Sequence, residues 1–332
     1  MIGAGFWARY QVSGWREVGV NCIAICNRTI AKADAIAREF CIPSVYSDAD
    51  AMLDNVRPDF VDVVTDVDTH RRYVEAAARR GIPVVCQKPL APTLADAEAM
   101  TAACKFAGVP LLVNENWRWQ VPIRQVKAAL DSGAIGRPFR ARIDMISGFP
   151  VFANQPFLRT LEQFILTDLG SHILDVARFL FGDADKLYCQ TARVHTDILG
   201  EDVATVMLRM QSGATVLVEM GYAENHLERD RFPETFLFIE GERGSIELAP
   251  DFWLRVTTSE GTHARRCPPP RYPWADPAYD VVHSSIVPCQ RNLADALHGR
   301  VAAETSAEDN LRTVRLVFAA YESARTGETV QL

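Results

Sequence analysis

Three side chains in two short motifs could together move a proton and steady a developing alkoxide. Lys88 follows the apolar run Val84-Val85-Cys86-Gln87 and precedes Pro89. That places a lysine at the carboxyl end of a buried strand, the edge at which open parallel sheets bind ligands. An ammonium there can donate hydrogen bonds to an oxygen that is becoming anionic. Asp168 and His172 lie in Thr167-Asp168-Leu169-Gly170-Ser171-His172. Their i, i+4 spacing puts them on one helical face, with Gly170 leaving room for something flat to approach. An imidazole with an ordinary pKa of about 6.5 accepts a proton near neutrality, and a carboxylate one turn away can orient it. Taken singly, each motif has a plain alternative: a lysine exposed in a turn, or a surface ion pair contributing a few tenths of a kcal/mol.

Positioning such groups requires a scaffold, and the chain opens with one. Met1-Ile2-Gly3-Ala4-Gly5-Phe6-Trp7-Ala8 is a Gly-x-Gly-x-x-Ala turn. Gly3 and Gly5 let the backbone turn tightly and approach a pyrophosphate, and Ala8 lets the next helix pack closely on a sheet. From residue 20 to about 115, apolar strands alternate with helical patterns. Strands are expected at Asn21–Cys26, Phe60–Val64, Val84–Cys86 and Leu111–Val113. Helices are expected at Ile30–Phe40, His70–Arg80 and Leu94–Ala107, two of them closed by Gly81 with Pro83 and Gly108 with Pro110. Short apolar strands separated by helices indicate a parallel sheet covered on both faces.

After residue 117 the pattern changes. A helix (Pro122–Ser132), a long strand (Arg137–Ser147), an irregular stretch (Gly148–Arg159) and a helix (Leu161–Phe181) precede a run of strands. Those strands are expected at Leu187–Thr196, Asp202–Met210, Ala214–Tyr222, Glu234–Glu240 and Gly244–Leu248. Hairpin signals separate the later ones, which predicts an antiparallel sheet. A Pro-rich loop (Cys267–Pro277) and two helices complete the chain, the last opening at Ser306 with Asp309 three residues on. The predicted architecture is an α/β Rossmann domain, residues 1–117, with a doubly wound parallel sheet. An α+β domain, 118–332, follows with a large, mostly antiparallel sheet.

Composition narrows the function. With 332 residues, 48% hydrophobic and 23% charged, the chain has the make-up of a globular protein of two domains. A net charge of −7 argues against a nucleic-acid or anionic-membrane surface. No apolar run reaches the roughly 20 residues of a membrane span, and no export signal opens the chain. The eight cysteines show no metal-type spacing, so no metal is expected and a cytoplasmic location is.

Several motifs in order resemble the glucose–fructose oxidoreductase/inositol dehydrogenase (Gfo/Idh/MocA) family. They are the glycine turn Gly3–Ala8; Thr65-Asp66-Val67-Asp68-Thr69-His70 for Thr-Pro-x-x-x-His; and Gln87-Lys88-Pro89 for Glu-Lys-Pro. Asn116-Trp117-Arg118-Trp119 looks like Asn-Arg-Arg-Phe, and Asp168–His172 like Asp-x-Gly-x-His. The hairpin Gly241–Ser245 and the ending Ser306–Asp309 are similar to the family's too. The resemblance implies an NAD(P)-dependent oxidoreductase that moves hydride between nicotinamide and a sugar or cyclic polyol hydroxyl. It assigns Lys88, Asp168 and His172 to catalysis. It assigns Gly3, Gly5, Phe6, Trp7, Asn27, Arg28, Thr65, His70, Gln87, Lys88, Asn116 and Arg118 to the cofactor. Lys88, His172, Trp119, Asn154, Gln155, Arg159 and Tyr279 are candidate substrate contacts.

Three departures stand out. Gln87 replaces the usual glutamate and Asp66 the usual proline. Only Met1-Ile2 stand where a first strand of about six residues is expected, so the chain is expected to be given from an internal methionine. After the second strand comes Asn27-Arg28-Thr29, with no carboxylate to repel a 2′-phosphate and an arginine able to pair with one, which leans the expectation to NADP. A homodimer or homotetramer is expected through the second domain's sheet, with Val216, Val218 and Met220 as the apolar surface. Two other classes remain open here: a nucleotide-sensing regulator on the same fold, and a hydrolase or lyase that uses transient oxidation by bound NAD.

Overall fold

The computed structural model describes residues 1–223 and 232–332. The chain divides into two compact units: Met1–Asn116 with Pro273–Ala275 and Ser285–Val314, and Trp117–Tyr272 with Asp276–Ser284 and Arg315–Leu332.

In the first unit, α1 (Ala8–Glu17) precedes β1 (Ala24–Cys26), α2 (Ile30–Phe40), β2 (Ser44–Tyr46), α3 (Ala49–Val56) and β3 (Val61–Val63). Then come α4 (His70–Ala78), β4 (Val84–Gln87), α5 (Leu94–Ala107) and β5 (Leu111–Asn114). All pairings are parallel: β1 with β2, and β3 with β4 with β5. Ile2 joins the two ladders through single bridges to Cys26 and Val63, and it is buried. The β4 strand is wholly apolar through Val84, Val85 and Cys86, as a central strand covered on both faces must be. Helix α5 shows why its boundaries were legible. Thr93 accepts the Asp96 N–H (3.0 Å) and donates to the Asp96 carboxylate (2.6 Å) at one end. Gly108, at φ 69°, takes the left-handed cap at the other. The strand β2 and helix α3 were not anticipated. Three half-buried residues make a strand too short for a periodic signal, although Asp48 caps α3 by accepting the Ala51 N–H (2.7 Å).

The second unit holds α6 (Val121–Asp131), β6 (Pro138–Ser147), α7 (Val151–Asn154), a 3₁₀ turn (Pro156–Thr160), a π turn (Leu166–Gly170) and α8 (Ser171–Phe181). The strands β7 (Ala184–Ala192), β8 (Val203–Met210), β9 (Thr215–Tyr222), β10 (Phe236–Gly241), β11 (Gly244–Ala249), β12 (Trp253–Thr258) and β13 (Gly261–Arg266) follow. Helices α9 (Asp280–Leu297) and α10 (Ala307–Thr326) and the short β14 (Val330–Gln331) close the chain. The strands form one nine-stranded sheet, β13-β12-β11-β10-β6-β9-β8-β7-β14. Every neighbouring pair is antiparallel except β6 with β9, which run parallel over eight residue pairs. The sheet is therefore mixed, though mostly antiparallel. The region expected as a single helix from Leu161 instead reaches α geometry only at Ser171, after the π turn.

Alternation fixes the two faces of this sheet. Ala141, Ile143 and Met145 of β6 and Val216, Val218 and Met220 of β9 point inward beneath α8 and are buried. This corrects the expectation that Val216, Val218 and Met220 form an exposed surface: they lie at the other parity. The outward residues include Phe238, Arg142, Leu217 and Met207, which face one another across β10, β6, β9 and β8, and Asp144 and Trp253 of the same parity. Among the described residues no helix is long and apolar enough to cross a membrane.

Candidate active site

The candidate nucleotide residues, Arg118 apart, lie in the first unit. Gly3 has φ +110°, and a Cβ there would stand 2.2 Å from the Val64 carbonyl oxygen, so the turn admits only glycine. Gly5 faces open space. The start of α1 has no side-chain cap and no acidic residue in its first turn. Its positive end is thus left for an external anion, which fits a dinucleotide's pyrophosphate. Phe6 is exposed beside Trp7 and Tyr10, with ring centroids 5.5–6.5 Å apart. Asn27, after β1, accepts the Ala4 N–H (3.1 Å) and donates to the Thr29 carbonyl (2.9 Å); Arg28 is exposed.

Two loops at the same sheet edge are tied together by His70. Its buried ring bridges the Thr65 carbonyl (Nε2, 3.0 Å) and the Leu90 carbonyl (Nδ1, 3.1 Å). Burial holds its pKa below the ordinary value against the pull of those carbonyls. Thr65 itself accepts a hydrogen bond from Thr69 (2.8 Å). Lys88, half-buried, follows β4 directly; its backbone N–H donates to Gln87 Oε1 (3.3 Å). Gln87 in turn donates to Gln11 Oε1 on α1 (3.1 Å). The amide in place of the usual glutamate therefore links strand β4 to the helix that starts at the glycine turn. Asn116 donates to Ser285 Oγ (2.7 Å). Trp7, Gln11, Gln87, Asn114 and Asn116 lie close together with Ile286 and Cys289.

The candidates for proton transfer other than Lys88 lie in the second unit. The π turn carries Asp168 and α8 carries His172, which is buried. Trp117 stacks on the His172 ring, with centroids 4.3 Å apart and planes at 27°. The Trp117 indole N–H donates to Thr235 Oγ1 (3.0 Å). Burial pushes the Tyr222 phenol well above its ordinary pKa, and the charges of Asp168 and Tyr279 add to that, so Tyr222 shares their neighbourhood. Gly170 faces the Met220 sulfur, 3.2 Å from where its Cβ would stand, so it serves close packing on β9 and not the approach of a ligand, as had been expected.

The remaining candidates separate. The Arg118 guanidinium forms a bidentate pair with Asp175 (2.5 and 2.7 Å), both buried. Trp119 is buried, with Arg124 over its ring at 4.5 Å. Arg159 pairs with Asp197 and lies over the Phe152 ring at 4.6 Å. Gln155 is half-buried just after α7; the Asn154 side chain lies outside the described residues. Tyr279 packs edge-on against Phe149 and Phe232 and stacks on His283 (5.4 Å). Sequence reasoning passed over Gln11, Tyr222, Phe149, Phe232 and the stacking role of Trp117.

Against known protein families, residues 1–115 match an oxidoreductase family with an NAD-binding Rossmann fold, GFO/IDH/MocA, and residues 123–247 match the GFO/IDH/MocA C-terminal domain. The chain belongs to the GFO/IDH/MocA family. It is an NAD-dependent oxidoreductase, with an NAD-binding Rossmann unit followed by that family's second domain. Among curated relatives, the D-apiose dehydrogenase of Paraburkholderia graminis is 44% identical over 333 residues, covering 100% of this chain and 88% of that protein. The D-apiose dehydrogenase of Rhizobium rhizogenes is likewise 44% identical, covering 100% and 96%. Among solved structures, an oxidoreductase from Agrobacterium radiobacter in complex with NAD+, L-tartaric acid and magnesium superposes with a TM-score of 0.97. It is 44% identical, over 99% of this chain and 96% of that one.

Proposed function

We propose that this chain is a sugar dehydrogenase that oxidises a hydroxyl of D-apiose or a closely related small aldose. The two full-length relatives at 44% identity carry this reading, supported by the site residues Lys88, Asp168 and His172. Nicotinamide, when bound, supplies the hydride acceptor. His172 takes the proton of the substrate hydroxyl; Asp168 orients the imidazole and balances the charge it gains. The Lys88 ammonium hydrogen-bonds the same oxygen and holds its negative charge as the C–H bond breaks. Gly3, Gly5 and the start of α1 receive the pyrophosphate, and His70 fixes the loops that carry Thr65 and Lys88. Residues 1–117 are proposed to act as the nucleotide domain and residues 118–332 as the substrate domain.

A spectrophotometric assay with D-apiose, D-xylose and myo-inositol tests the reading. NADH should accumulate stoichiometrically with D-apiose, and with D-apiose in preference to the other two. Lys88→Met and His172→Ala should each lower kcat at least 100-fold while nucleotide binding persists. Near-normal turnover in either variant removes that residue from its role.

The choice between nucleotides rests on the residues after β1. No carboxylate stands there and Arg28 is exposed, so a 2′-phosphate would meet a cation and no repelling charge. NADP+ is therefore proposed to bind at least as tightly as NAD+. Fluorescence titration of both checks this, and tighter NAD+ binding reverses it. The outward face of the nine-stranded sheet is proposed to pair copies of the chain into a homodimer or homotetramer.

A further inference from the structure

We propose that Trp117 is a positioning residue for proton transfer, holding His172 by one ring face and favouring the protonated imidazole that forms during turnover. The inference deepens the assignment of His172 as the base and rests on it. When the hydroxyl O–H bond breaks, its proton forms an N–H bond on the imidazole, while the C–H pair leaves as hydride to bound NAD+. The ring therefore becomes a cation at the moment of reaction, in a place where water has been removed: Trp117 and His172 are each only 5% exposed. An indole face at 4.3 Å and 27° is the aromatic surface best suited to steady such a cation. The Trp117 N–H bond to the buried Thr235 hydroxyl (3.0 Å) keeps the indole from turning away. The Asn-Arg-Arg-Phe segment that this stretch resembles has an arginine in that place. A guanidinium there would oppose a positive imidazole where the indole favours it.

Among the described residues, the other charges near α8 have their own partners or face elsewhere. Arg118, beside Trp117, is paired with Asp175 of α8, and Arg178 of α8 with Asp183. Arg124 of α6 lies over the rings of Trp119 and Phe179. Tyr222 of β9 is kept neutral by burial. Arg142 and Asp144 of β6 and Glu219 of β9 point to the opposite face of the sheet. Asp168 on the π turn is the carboxylate already assigned to His172. All of these groups persist when Trp117 is replaced.

The test combines two measurements. The first is the NMR titration of the His172 ring in nucleotide-free protein, with the signal assigned by its loss in His172→Asn. The second is the pH profile of kcat/KM with D-apiose and NAD+. Trp117→Leu should lower the titration midpoint by about half a unit or more and move the acid limb of the profile the same way. Trp117→Phe, which keeps a π face, should restore most of the shift, and Thr235→Val should produce part of it. An unmoved midpoint in folded Trp117→Leu, or equal shifts in the leucine and phenylalanine variants, overturns the proposal. If the leucine variant does not fold, an unmoved midpoint in Thr235→Val overturns it. Near-normal turnover of His172→Asn with a shifted midpoint would instead sink the base assignment and leave the stacking effect standing.

Discussion

Two buried titratable residues that take no part in the proposed chemistry pull stability in opposite directions. Asp62 of β3 accepts hydrogen bonds from Trp15 Nε1 (2.6 Å) and Asn114 Nδ2 (3.2 Å), yet burial raises its pKa to about 6. The folded protein holds that proton more tightly than the unfolded chain does, so Asp62 costs stability as pH rises from about 4 to 6. His283 accepts the Asp276 N–H at Nδ1 (3.1 Å), and burial lowers its pKa to about 4, although the Asp276 carboxylate opposes the shift. Its contribution is present above the unfolded pKa of about 6.5 and is lost as pH falls towards 4. Each effect is of order 3 kcal/mol, so the two largely offset each other between pH 4 and 6. Urea unfolding at pH 4, 5 and 6 should show stability rising with pH in Asp62→Asn and falling in His283→Gln. Slopes equal to the parent's would show that neither group titrates as described. Neither residue announced itself in the sequence, whereas Lys88 and His172 did. A motif is local, but a burial shift depends on neighbours supplied by distant segments, as Trp15 and Asn114 are for Asp62.

Among the elements, the π turn Leu166–Gly170 sets the relation between Asp168 and His172. Regular α spacing was legible in the apolar pattern of the helix; the widened turn before it was not, because its cause sits elsewhere in the chain. Glu201 Oε1 accepts the N–H groups of Phe164 (3.2 Å) and Leu166 (3.3 Å) and the hydroxyl of Tyr321 (2.7 Å). One carboxylate therefore satisfies the amides that open the turn, and α10 holds that carboxylate in place. Glu201→Ala leaves buried donors unmet and should cost about 2–3 kcal/mol in chemical denaturation. It should also lower kcat more than it alters KM for the nucleotide, because the acid–base pair shifts while the glycine turn does not. Glu201→Gln, which retains an acceptor oxygen, should recover most of both; a variant pair indistinguishable from each other would remove the cap from the account. By contrast, α2 and α5 were read to the residue. Their ends are decided by local caps such as Thr93 and Gly108.

For the whole molecule, the nine-stranded sheet was legible in outline, since hairpin turns and alternation are local signals. Three of its details were not: the parallel β6–β9 pairing, the strands β12 and β13 at one margin, and which parity faces α8. A strand of alternating pattern says that one side is buried without saying which residue set meets the helix. The outward face carries Ile146, Met207, Phe238 and Trp253, each between 37% and 48% exposed, among the charges of Arg142, Asp144 and Glu219. Apolar groups ringed by ion pairs suit an interface between like copies. Light scattering at micromolar protein should give the mass of a dimer or tetramer, and Phe238→Arg with Met207→Glu should lower it to that of one chain. A monomeric parent would remove the proposal. The same sheet also ends in a ribbon whose far edge pairs with no strand among the described residues. The β13 strand is exposed along its whole length and bears His263, Arg265 and Arg266. Arg265 reaches Gln125 (2.7 Å), and Arg266 reaches the Asp251 carbonyl (3.1 Å). Like charges facing each other across two such margins would repel, which disfavours edge-to-edge pairing of copies.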